Sequence, residues 1–161
     1  MGKMMERRAF LQGSLLATGA LLLGPSARAA ETAAQKFTGY SEVDPALFQG
    51  VNSVRDPAKK TVLEQKHAPV IEAPAKVKAG EPFAVTVTVG EVVHPMVVGH
   101  FIHYVELMAG NEPAGRAEFQ PGLSVPRVTF HVTLDRPVTL VAREFCNLHG
   151  WWESRREIVF G

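Results

Sequence analysis

Short strands separated by turn residues predict an antiparallel β-sandwich over about the last three fifths of this 161-residue chain. Three observations carry that expectation. Phe83-Ala84-Val85-Thr86-Val87-Thr88-Val89 sets large apolar residues against Ala and Thr in alternation, the two-residue period of a strand with one face buried. Eleven prolines and 14 glycines favour many turns over long helices. No segment after Lys66 has the 3.6-residue period of a long amphipathic helix.

The chain divides into three parts. Residues 1–29 read as an export signal: Arg7-Arg8 followed by Phe10-Leu11, an apolar run ending at Leu21-Leu22-Leu23, and the small-residue site Ala27-Arg28-Ala29. The arginine pair marks the twin-arginine route, which carries folded proteins, often with a metal or cofactor already inserted. The apolar run is shorter than the ~20 residues of a membrane span, and Gly13 and Gly19 interrupt it. Cleavage after Ala29 leaves 13 basic and 15 acidic residues, a net charge of −2. The mature protein is therefore expected in the periplasm without stable membrane association.

Residues 30–63 form an N-terminal extension, expected to be disordered from Ala30 to about Lys36. Asp44-Pro45 and Asp56-Pro57 mark turns or helix starts, and Ala58 to Gln65 is a candidate short helix. Residues 64–161 make the sandwich. Lys78-Ala79-Gly80-Glu81-Pro82 is the turn before the Phe83–Val89 strand. Phe101 to Met108 is a second strand, with Phe101, His103, Val105 and Leu107 assigned to one face. Arg127 to Leu134 alternates again, and Pro137 to Phe145 follows it across a tight Asp135-Arg136-Pro137 turn. Arg155 to Phe160 closes the sheet.

Composition excludes several classes of function. A single cysteine rules out an intramolecular disulfide and any two- or four-cysteine metal site within one chain. A formal net charge of +1 leaves no excess of Lys and Arg for nucleic-acid phosphates.

The six histidines and one cysteine are the unusual inventory, and four of the histidines with the cysteine gather in three clusters. These are Lys66-His67-Ala68-Pro69, His94-Pro95-Met96-Val97-Val98-Gly99-His100 and Cys146-Asn147-Leu148-His149-Gly150. Thiolate with several imidazoles suits iron, copper or zinc. The Cys-x-x-His spacing brings a sulfur and a nitrogen close enough to grip one ion, and all three clusters fall at strand ends. His103 and His131 lie within strands, outside any cluster, and read as structural. Trp151 or Trp152 is expected to plug the end of the sandwich, and Met96 to pack over the site. Arg143, Arg155 and Arg156 read as a solvated strand face.

These residues resemble a known family. Lys66-His67-Ala68-Pro69-Val70-Ile71-Glu72, His94-Pro95-Met96 with His100, and Cys146-Asn147-Leu148-His149-Gly150-Trp151-Trp152-Glu153 are similar to the iron-site motifs of superoxide reductases. These are the neelaredoxins and the catalytic domain of desulfoferrodoxin. The resemblance covers about Glu64 to Phe160 and is to the single-iron type, without a cysteine-rich module. It implies an immunoglobulin-like sandwich with a mononuclear metal site at one end. One iron per chain, cycling between Fe2+ and Fe3+, would be held by His67, His94, His100 and His149 in the equatorial plane and by Cys146 on the axis. The position opposite sulfur would be open for superoxide, which the ferrous ion reduces to hydrogen peroxide.

The resemblance also places Lys66 at the site mouth, as the catalytic residue that attracts the anion and orients water. Backbone N–H groups after Cys146 would tune the sulfur. An electron donor, rubredoxin-like or another small redox protein, would restore the ferrous state, and relatives of this type assemble from several subunits. Two departures stand out: Gln65, with Glu64 before it, occupies the place of a family Glu that closes the ferric site, and Gly99 replaces a Glu before the third histidine. Two other readings remain open at this stage. One is an exported electron-transfer module holding copper or iron without turnover, and the other is a sulfur carrier using the Cys146 thiol.

Overall fold

The computed structural model describes residues 43–161. The signal at 1–29 and the extension up to residue 42, including the stretch expected to be disordered, lie outside the described residues. Among the described residues the elements run in order as a 3₁₀ turn Pro45–Phe48, β1 Val51–Asn52, α1 Val62–His67, β2 Pro69–Glu72 and β3 Lys76–Val77. They continue as β4 Phe83–Val89, β5 Ile102–Ala109, β6 Glu112–Glu118, β7 Arg127–Val132, β8 Val138–Cys146 and β9 Gly150–Phe160.

Two sheets result. The larger runs β1-β9-β8-β5-β6, with β3 also joined to β9, and the smaller runs β2-β4-β7. The long pairings are antiparallel, while the two-residue strands β1 and β3 run parallel to β9. Strand β4 buries Val85, Val87 and Val89 completely and turns its threonines outward, as the alternation predicts. Opposite it, β5 contributes Ile102, Val105 and Leu107, β8 Leu140 and Ala142, and β9 Ile158, all at most 1% exposed. Burial of these branched apolar side chains between two sheets is the main force holding the layers together.

The structure corrects the sequence reading at several places, beginning with the closing strand, which starts at Gly150 and not at Arg155 because it pairs with the whole length of β8. A β-bulge between Ile102 and Tyr104 resets the alternation of β5, so Ile102 joins Val105 and Leu107 in the core. His103 is thereby exposed rather than sharing their face. Strand β6 went unpredicted because Pro113 and Gly115 interrupt it, yet it is an edge strand, where a missing N–H is tolerated. Gly115 is required there because the Phe130 ring of β7 covers it, and an added Cβ would come within 2.6 Å of that ring. The helix begins at Val62, later than expected, because Thr61 caps it. Finally, Arg156 is not merely solvated: its guanidinium donates to the carbonyls of Ile71 and Ala73, tying β9 to the end of β2.

Part of the N-terminal extension is integral to the larger sheet. Val51 and Asn52 pair with Trp151 and Trp152, and Asn52 Nδ2 donates to the carbonyls of Leu47 and Trp151, each at 2.9 Å.

Candidate metal centre

Three loops at one end of the sandwich bring the three sequence clusters together. The first is the C-terminal turn of α1. Thr61 Oγ1 accepts from the Glu64 N–H at 3.2 Å, and the Glu64 carboxylate accepts from the Thr61 N–H at 2.7 Å and from the Arg55 N–H at 2.9 Å. This capping box fixes the start of a helix only six residues long. The far end is gripped by the turn after β4. The N–H groups of Glu91 and Val92 donate to the Gln65 carbonyl, and that of Gly90 donates to Ala68. His67 therefore sits on a helix held at both ends.

The tautomers of two histidines follow from their backbone partners. His67 Nδ1–H donates to the Leu63 carbonyl at 2.8 Å, and His94 Nδ1–H donates to the Pro95 carbonyl at 2.6 Å. Each ring thus keeps its Nε2 lone pair free. Those two Nε2 atoms lie 3.0 Å apart with no proton to share. His100 Nε2 and His149 Nδ1 lie 3.1 Å apart on the other side.

The four rings form a square. Neighbouring ring centroids are 4.6 Å apart for His67–His94, 4.5 Å for His94–His100, 4.7 Å for His100–His149 and 4.5 Å for His149–His67. The diagonal His67–His100 is 5.9 Å. Adjacent rings are tilted by 66–78°, like the blades of a propeller. Cys146 Sγ is 3.6 Å from His94 Nε2 and 3.5 Å from His149 Nδ1, two opposite corners. The sulfur is thus about equally far from two opposite corners and close enough to join the same cluster.

This arrangement fits a metal ion. All five donor atoms lie within 4.8 Å of one another. Neighbouring nitrogens 3.0 and 3.1 Å apart are at the separation of two right-angled ligands about 2.1–2.2 Å from a shared ion, against the ~2.0–2.1 Å of imidazole–zinc bonds. Facing lone pairs repel one another unless a cation lies between them. Four imidazoles and a thiol exceed the four ligands of a structural zinc site and the three strong ligands of a blue-copper site.

Burial sets the protonation states. It lowers His67 to about 4, His94 to about 3 and His100 to about 4, and it lowers His149 as well. All four rings are neutral at pH 7 and present lone pairs. Burial pushes the Cys146 thiol up to about 12, against the N–H groups of Leu148 and His149, which favour the thiolate. A cation at the centre overrides that burial and deprotonates the sulfur. Cys146 has no exposed surface, which argues against a sulfur carrier that must present its thiol to a partner.

The surrounding residues divide by what they touch. Trp152 is 3% exposed, stacks on the His67 ring at 5.4 Å and donates its Nε1–H to the His149 carbonyl at 2.9 Å. It is the tryptophan that plugs this end. Trp151 instead donates to the Tyr104 hydroxyl. Met96 packs on the core, its sulfur accepting from the Ile102 N–H. Lys66 is half-buried beside the square, close enough for its charge to disfavour protonation of His67 and His100.

Neither Gln65 nor Glu64 offers a group to the centre. Gln65 donates its amide to the Lys60 carbonyl, and the Glu64 carboxylate is held below its usual range by the N–H groups it accepts. His103 and His131 lie outside the cluster. One residue escaped the sequence reading. Glu144, fully buried on β8 two residues before Cys146, has neither carboxyl oxygen hydrogen-bonded, and burial raises it well above its usual range. Nothing in the Arg-Glu-Phe-Cys run distinguishes it from a solvated strand residue; only the inward phase set by Cys146 could have found it.

A model of the desulfoferrodoxin family matches residues 59–155, more than half of the chain and all five ligand candidates. The chain belongs to the desulfoferrodoxin family. A relative in Thermotoga maritima is 40% identical over 115 residues, 60% of this chain and 88% of its own length. The superoxide reductase of Pyrococcus horikoshii is 35% identical over 104 residues, 58% of this chain and 88% of the relative. Among solved structures, the superoxide reductase (neelaredoxin) from Ignicoccus hospitalis superposes with a TM-score of 0.61 at 36% identity. It covers 73% of this chain and 98% of its own.

Proposed function

We propose that this chain is a periplasmic superoxide reductase. One iron per chain would be held by His67, His94, His100, His149 and Cys146. The observation that carries this reading is the square of four neutral imidazole rings with a buried thiol 3.5–3.6 Å from two of them, in a member of the desulfoferrodoxin family.

Superoxide takes up one electron and two protons and leaves as hydrogen peroxide. Iron, when bound, supplies the electron by passing from the ferrous to the ferric state. The chain does the rest. His67 and His94, each 1% exposed, seal the centre from the core side, together with Trp152. The fully buried Cys146 would donate electron density to such an ion as a thiolate, which favours electron loss. The side on which His100 and His149 are partly exposed is left as the face open to the substrate, and the half-buried Lys66 ammonium near it attracts the anion. Solvent at that face supplies the protons. With Gln65 and Glu64 both engaged elsewhere, no carboxylate from α1 competes for the open face.

A small redox protein, rubredoxin-like or similar, returns the electron. Val93, Val97, Val98, Leu123 and Val125 are exposed on the two loops flanking the centre, and offer such a donor an uncharged docking rim. Residues 1–29 direct twin-arginine export and are removed, residues 30–63 are an extension, residues 64–161 carry the centre, and the mature chains assemble as a homo-oligomer.

Rapid mixing of the reduced iron protein with superoxide tests the activity. One hydrogen peroxide per superoxide consumed, with no dioxygen released, is the expected result. Dioxygen release would make the protein a dismutase, and no reaction would leave an electron-transfer module.

A further inference from the structure

Asn147 does more than follow Cys146 in the chain. Its side-chain Oδ1 accepts from the Phe101 N–H at 2.8 Å, and its Nδ2 donates to the Gly99 carbonyl at 3.0 Å. Its own N–H donates to the Phe101 carbonyl at 3.2 Å. One residue therefore holds the peptide groups on both sides of His100. The amide orientation is fixed by the partners, because a flipped amide would set Nδ2 against an N–H and Oδ1 against a carbonyl.

We propose that Asn147 is a positioning residue that locks His100 to Cys146. Cys146 and Asn147 are adjacent in the chain, so the fork sets the distance between the sulfur and the His100 ring. The local structure shows why this ligand needs it. His67 and His94 are each anchored by a ring N–H to a backbone carbonyl and are 1% exposed. His100 has no such ring anchor among the described residues: its ring nitrogens approach no backbone carbonyl, and their one polar contact is His149 Nδ1. Apart from Asn147, its backbone is held among the described residues only by the Val97–His100 bridge, within a loop whose Val97 and Val98 are exposed. No other residue type does the same. Asp keeps the acceptor but turns a carboxylate oxygen on the Gly99 carbonyl, Ala removes both bonds, and Gln is too long for the span.

This inference rests on the five-donor group being a metal centre, and cobalt(II) titration of the metal-free full chain separates the two claims. The Asn147→Ala variant is expected to bind cobalt about 10–100-fold more weakly, the usual cost of losing a group that orients a ligand. A double-mutant cycle supplies the readout that a general loss of stability would not move. Placed on His100→Ala, the Asn147→Ala change should cost little further affinity. Placed on His67→Ala, it should keep its full cost. Equal costs in the two backgrounds, or unchanged affinity in Asn147→Ala, would overturn the assignment. Failure of the unaltered chain to bind cobalt would instead remove the metal centre itself.

Discussion

Metal-free protein should lose stability steeply as pH falls from 6.5 towards 4.5, and the site residues set the slope. The folded-state values of His67 and His94, about 4 and about 3, lie below the ~6.5 of an unfolded histidine. In this window the unfolded chain binds protons that the folded chain refuses, so stability falls with pH. His67 and His94 count in full because both are 1% exposed. His100 and His149, partly exposed, together count as roughly one more after solvent screening.

Glu144 acts with the opposite sign. Its folded pKa is raised, so it stabilises the fold at low pH and loses that contribution as pH rises above the ~4.3 of an unfolded glutamate. Across the window it cancels about one proton, leaving a net uptake of about two on unfolding. At about 1.4 kcal/mol per proton per pH unit, the slope near pH 5 is about 2.7 kcal/mol per unit. Over the two pH units that is a loss of at most ~5 kcal/mol, comparable to the whole stability of a domain at the lower end of the typical ~5–15 kcal/mol. Urea denaturation followed by the fluorescence of Trp151 and Trp152, repeated at several pH values, measures it directly. A midpoint that stays flat or rises as pH falls to 4.5 would refute the claim that these rings are buried and neutral.

Three further outcomes follow from the geometry. Lys66→Ala should slow the reaction with superoxide and flatten its dependence on ionic strength, because long-range attraction of an anion is screened by salt; an unchanged rate and salt slope would remove Lys66 from the mechanism. Gly90→Ala should destabilise the fold by ~1–3 kcal/mol and weaken metal binding through His67. Its φ is +80°, and the new Cβ would meet the Lys66 carbonyl at 2.5 Å, so wild-type thermal stability would contradict that account. Glu144→Leu should stabilise metal-free protein at pH 7 by ~1–3 kcal/mol, since it removes a buried carboxyl whose oxygens lack partners. It should also steepen the acid slope by about one proton, and a variant less stable than the parent at pH 7 would show that the carboxyl is paired.

The strands with uninterrupted alternation were legible in the sequence because one face of each must be buried. Phe83–Val89 was placed as found, and Arg127–Leu134 and Pro137–Phe145 to within two residues at each end. What escaped were features set by tertiary structure. The bulge that turns His103 outward depends on pairing with β8, and β6 persists despite Pro113 because it is an edge. The five donors were each legible as motif residues, yet their square arrangement was not, since it depends on three loops meeting from distant parts of the chain. Glu144 and the Asn147 fork were hidden for the same reason: a side chain's partners across a fold leave no local pattern.

The most direct test is metal content with the visible spectrum of the purified protein, alongside Cys146→Ser. The account predicts about one iron per chain and a thiolate-to-ferric absorption band that is absent from a folded Cys146→Ser protein. Iron retained with the same band in Cys146→Ser would contradict the axial thiolate, and copper or no metal in the parent would contradict the iron centre.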